Sequence, residues 1–107
     1  MPFNGTEGSA IDITTAADYT ANYRLEYPGS VQAIFMGKDI LNAILAQEGC
    51  MGIRVYFGKA AAGSSDFELV FVGADANEND MINNGGIVAD DGKKCPPECG
   101  SMNSLNS

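Results

Sequence analysis

"MGIRVYFG" (51–58) and "FELVFVG" (67–73), joined by "KAAAGSSD" (59–66), are the stretch on which the fold turns. In the first segment Met51, Ile53, Val55 and Phe57 alternate with Arg54 and Tyr56. In the second, Phe67, Leu69 and Phe71 alternate with Glu68, Val70 and Val72. A period of two in β-branched and aromatic residues marks strands, and the small polar link between them marks an antiparallel hairpin. The Ile53/Val55/Leu69/Phe71 face is the one expected to be covered by helices. Arg54 and Glu68 share the other face as expected cross-strand neighbours, a pair worth under about 1 kcal/mol when exposed. Val70 and Val72 on that same face imply that it too is partly covered, by the tail or by a second subunit. Arg54, Tyr56, Val70 and Val72 are therefore the candidate binding surface.

Two helices precede the hairpin. In "DITTAADYTANYRLEYPG" (12–29), Thr14 or Thr15 is the expected cap, with Asp18 in the capping-box position after Thr15. Tyr19, Tyr23 and Tyr27 recur every fourth residue beside Ala16 and Thr20, so they line one helical face. Such a stripe is either a binding strip or, more commonly, the face packed on the core with phenol tips at its rim. Pro28 and Gly29 end the helix. After an extended "SVQAIFMG" (30–37), "KDILNAILAQEG" (38–49) is a second helix. Ile40, Leu41, Ile44 and Leu45 form its buried stripe and Gly49 its stop.

Outside these elements the texture changes. Residues 1–13 form a flexible leader, 14–100 a single domain, and 101–107 a flexible tail. After the hairpin, "GADANENDMINNGG" is rich in turn-forming residues, "GIVAD" (86–90) is a short third strand, and the remainder is irregular. The expected fold is α+β: two helices on a small antiparallel sheet with an irregular, cysteine-bearing C-terminal tail.

Composition narrows the function. The net charge of −8, from 14 acidic and 6 basic side chains, repels phosphate backbones and anionic bilayers. No apolar run is long enough to span a bilayer, and the N-terminus lacks the features of a secretory signal. A cytoplasmic location is the expectation. The chain has no histidine, which removes the commonest general base and the usual zinc nitrogen ligand. That leans away from an enzyme, with no catalytic residue to nominate.

Three cysteines remain. Cys95 and Cys99 flank "PPE" in a C-x-x-x-C spacing, unlike the C-x-x-C of thioredoxin-type sites. Their separation permits a disulfide; Cys50 can instead bond either of them, and three free thiols are equally compatible with the spacing. With Asp90, Asp91, Glu98 or water, Cys50, Cys95 and Cys99 can also be counted as a zinc set. In "DANENDM" (75–81), Asp75, Asn77 and Asn79 match the first three ligand positions of a calcium loop, but Asp80 replaces its glycine and Gly86 its final glutamate. The plain alternative is an Asp/Asn turn satisfying its own backbone. The expectation is no cofactor, with zinc or calcium as minor options.

"GCMGIRVYFG", "ELVFVGADANENDM" and the "CPPEC" tail together resemble a group of small bacterial proteins of Bacteroidota type. The resemblance spans about Thr14 to Cys99. It implies a bacterial source and a recurrent architecture, and carries no activity. The function expected is a small non-enzymatic protein-binding or assembly module, acting with a protein partner or itself, most simply as a homo-oligomer. The alternative is a thiol or metal-binding protein using Cys50, Cys95 and Cys99.

Overall fold

The computed structural model describes residues 2–64 and 66–107. Its elements run α1 (Ile13–Glu26), β1 (Ala33–Phe35), α2 (Lys38–Leu45), β2 (Cys50–Lys59), β3 (Phe67–Asp75), β4 (Val88–Ala89) and β5 (Lys93–Cys95). The fold is α+β. Strands β2, β3 and β4 form an antiparallel sheet in that order, while β1 and β5 pair as a separate antiparallel ribbon. No helix among the described residues is long and apolar enough to cross a membrane.

The hairpin forms as its alternation requires. Ile53 faces Gly73, Val55 faces Phe71, and Phe57 faces Leu69; on the other face Arg54 lies across from Val72 and Tyr56 across from Val70. The register shifts between Cys50 and Gly52, which takes Met51 out of the simple alternation. Arg54 and Glu68 are not neighbours, because Glu68 lies opposite Gly58. Arg54 instead pairs with Asp80, and Glu68 with Lys94 of β5. The expected pairing fails because position 68 lies four residues along β3 from Arg54's partner Val72.

Helix α2 covers one end of the sheet. Ile44 is fully buried, and Gly73 is what lets it come close. A Cβ at position 73 would stand 2.9 Å from Cys50 Sγ, 3.0 Å from Gln47 Nε2 and 3.3 Å from Ile44 Cγ2. Gln47 ties this end down, accepting from the Ile87 amide at 3.0 Å and donating to the Ile44 carbonyl at 2.9 Å. Leu45, expected in the buried stripe, is exposed.

Helix α1 is capped by Asp12, whose side chain accepts from the Thr14 amide, so the cap precedes the threonines expected to supply it. No residue of α1 is fully buried. Tyr27, which follows its last turn, meets Phe67 of β3 edge-on at 6.1 Å between ring centroids. The helices thus cover the Ile53/Val55/Leu69/Phe71 face only in part, and Val55 stays exposed. The deepest sheet side chains are Val72 and Ala74, on the opposite face.

That second face is closed by the chain itself. Residues 76–82 double back along β3, with the Met81 amide donating to the Gly73 carbonyl at 2.8 Å and Asp80 bridged to Ala74. Phe3 is held by a bond from its amide to the Ala76 carbonyl at 3.0 Å, and its ring lies under the Arg54 guanidinium, 5.5 Å away. Further along β3, Lys94 binds Glu68 at 2.7 Å and Asp66 at 3.1 Å, anchoring the β1–β5 ribbon.

The resulting core is thin. Among the described residues, Ile44, Val72, Ala74 and Cys95 are the buried hydrophobics. The chain exposes 7549 Å², where a folded monomer of its 11.2 kDa is expected to expose about 5,700 Å². Its radius of gyration is 15.5 Å, against about 13 Å expected for a single domain of this length.

Candidate binding surface

Of the four residues nominated from sequence, Arg54 and Tyr56 meet at a residue that was not: Asp80. One Asp80 oxygen accepts from Arg54 Nη1 at 2.6 Å, and the other accepts a very short hydrogen bond from the Tyr56 hydroxyl. Arg54 also donates to the Glu78 carbonyl at 3.2 Å. The Tyr56 hydrogen bond, reinforced by Arg54, holds the Asp80 carboxyl below its ordinary range, and the same carboxylate raises Arg54 further. Val72 is 1% exposed and belongs to the core, while Val70 is half-buried. The turn chemistry of "DANEN" was the available signal for Asp80, since a tight reversal there must return the chain beside β3.

That reversal uses the nominated cation-loop residues as turn formers. The Asp75 carboxylate accepts from the Asn77 amide at 2.9 Å and the Asn79 amide at 3.0 Å, and Glu78 takes a positive φ of 69°. The Asn77 and Asn79 contributions are backbone donors.

The cysteines separate into two places. Cys95 and Cys99 are joined by a disulfide with their Cα atoms 4.7 Å apart, across a loop whose Cys95–Pro96 and Pro96–Pro97 bonds are both cis. Gln32 Nε2 lies 3.3 Å from Cys95 Sγ, and Cys95 is 4% exposed. Cys50 is free and half-buried at the start of β2, its thiol donating to the Gly52 carbonyl at 3.2 Å. Among the described residues no group of three or more Cys, Asp or Glu side chains is arranged to hold a metal.

A mainly apolar cleft lies elsewhere. Between α1 and the far end of the hairpin is a cleft of about 440 Å³, lined by Tyr19, Tyr23, Tyr27, Phe57, Phe67 and Leu69 together with residues 31–34. The tyrosine stripe faces this space. Tyr23 donates its hydroxyl to the Val31 carbonyl at 2.7 Å, and loss of solvent, with Tyr27 adding to it, pushes its pKa upward. Phe57, at the lip of the cleft, is 90% exposed although it sits within a regular strand. Its neighbours Val55 and Tyr56 are 41% and 46% exposed. Among the described residues this half of β2 is a free edge: β2 is paired on one side, by β3, and the leader near Phe3 and Gly5 reaches its Met51–Arg54 end. The repeat of tyrosines was legible in sequence; that the helix carrying them stands off from the sheet was not.

Comparison with known protein families, with curated proteins and with solved structures finds no match to this chain.

Proposed function

We infer that this chain is a small non-enzymatic protein-binding or assembly module, acting in the cytoplasm, whose working surface is the open apolar face of the β2–β3 hairpin. The observation that carries the reading is Phe57, 90% exposed on a free strand edge at the lip of a cleft of about 440 Å³. Exposed aromatic side chains beside an apolar cleft are the anchors by which protein surfaces are held. Among the described residues the cleft is lined by Tyr, Thr, Val, Gln, Ala, Ile, Phe and Leu side chains, a mainly apolar lining that suits contact with another surface.

A photoreactive phenylalanine analogue placed at position 57 tests this reading in an extract of cells that make the protein. Irradiation is expected to give a discrete protein adduct, to this chain or to another. If no protein adduct forms, the module reading fails.

The second reading, a thiol role, is favoured by the disulfide between Cys95 and Cys99. It predicts that a Cys95→Ser/Cys99→Ser variant loses capture at position 57. The module reading predicts capture unchanged.

A further inference from the structure

We propose that the occupant of this surface is a second copy of the chain, docked antiparallel along residues 55–59 of β2 about a two-fold axis at Phe57. The proposal rests on the module reading and names its partner.

The first ground is area. The chain exposes roughly 1,800 Å² more than a folded monomer of its mass should. A stable interface takes about 800 Å² from each partner, and obligate dimers take about 1,000–2,500 Å². Part of that excess lies on this edge, where Val55, Tyr56 and Phe57 are 41%, 46% and 90% exposed.

The second ground is self-complementarity. Residues 55–59 read "VYFGK". Pairing this edge with itself about Phe57 brings the two Phe57 rings together on the cleft face. It also sets Tyr56 against Gly58 of the second copy and Val55 against Lys59 of the second copy. A large aromatic across from a glycine is a favoured cross-strand combination, because the ring covers backbone that the glycine leaves bare. A free edge in regular β conformation is itself a template for strand addition.

The third ground is charge. The chain carries −8 overall, so two copies repel over most of their surfaces. The 55–59 edge holds no carboxylate, and its one cation, Lys59, lies over its own Phe67 ring at 5.3 Å. Two copies can therefore approach along this edge with the nearby Asp80 carboxylate, bound to the Tyr56 hydroxyl, held in its own ion pair with Arg54. The same arithmetic gives a signature. Self-association between chains of like charge strengthens as salt is added, whereas docking of a basic partner weakens.

The test is molar mass by light scattering across the micromolar range, at low and high salt. The wild-type protein is expected at about 22 kDa, with dimerisation tightening as salt rises. Phe57→Asp places two carboxylates on the axis and is expected to weaken self-association at least about 30-fold. In case that variant folds poorly, a Phe57→Cys/Cys50→Ser chain is oxidised mildly beside a Phe35→Cys/Cys50→Ser control, position 35 being 67% exposed on β1 and outside the proposed pairing. Covalent dimer from the first and monomer from the second supports the proposal. A wild-type mass of 11.2 kDa throughout, or a Phe57→Asp protein that remains dimeric, overturns it. A photoadduct from position 57 to a different protein and never to this chain also overturns it, yet leaves the module reading standing.

Discussion

Asp80, outside either strand, ties together two side chains of the hairpin's second face. It binds Arg54 and Tyr56 together, and both interactions favour its ionised form. A carboxyl whose folded pKa is depressed contributes stability that is fully present above the unfolded value of about 4 and is lost as pH falls through the lower folded value. Lys94 works with the opposite sign. Glu68, then Asp66, raise its pKa, so its contribution holds below about pH 10 and fades as pH climbs through the raised value. Asp80→Asn is therefore expected to flatten the acid limb of stability below about pH 4 and leave the alkaline limb above about pH 10 unchanged, as measured by urea unfolding between about pH 2 and pH 12. The Cys95–Cys99 bridge closes a five-residue loop, for which chain entropy predicts about 2 kcal/mol. Cys95→Ser/Cys99→Ser should cost that much in denaturant unfolding, and a reductant should cost the wild-type protein the same. Sequence located Arg54 and the cysteine pair but not their partners. A C-x-x-x-C spacing permits a bridge without requiring one, and Asp80, 26 residues beyond Arg54, reaches it through a reversal of the chain.

At the scale of elements, what was legible followed periodicity. Strands β2 and β3 and helix α2 carry strong patterns and formed where those patterns lie. Strands β1 and β5, three residues each, offer too short a pattern to read, and their pairing joins segments some sixty residues apart. The more instructive departure concerns coverage. Alternation identified the two faces of the hairpin but not which would be deeper, because Gly73 admits α2 at one end only. Beyond that end, α1 stands off and its tyrosines line a cleft rather than a core. Gly73→Ala must push against Cys50, Gln47 and Ile44 at once, and is expected to cost about 1–3 kcal/mol in chemical denaturation. Ile44→Ala, emptying the fully buried site from the other side, is expected to cost about 2–5 kcal/mol. A Gly73→Ala protein as stable as wild type would mean that α2 is free to shift and that its close approach contributes little.

For the whole molecule, the thin core and the excess of exposed surface are one fact seen twice. Sequence alone implied an unprotected edge and a partner, but placed the candidate surface on Arg54, Tyr56, Val70 and Val72. The chain covers much of that face with residues 76–82, Phe3 and Lys94, and leaves the Phe57 side open. Alternation cannot report which of two apolar faces a chain will close with its own loops, since that depends on where the turn after β3 brings the backbone. If the Phe57 edge is where a second copy docks, its outward-facing amides gain hydrogen-bond partners only in the dimer. Hydrogen exchange at the outward-facing amides within residues 55–59, followed as the protein is diluted, measures this directly. The account predicts slow exchange at high concentration that gives way to fast exchange on dilution, with residues 71–75 of β3 protected throughout. Exchange at those outward-facing amides that is fast and independent of concentration would contradict it.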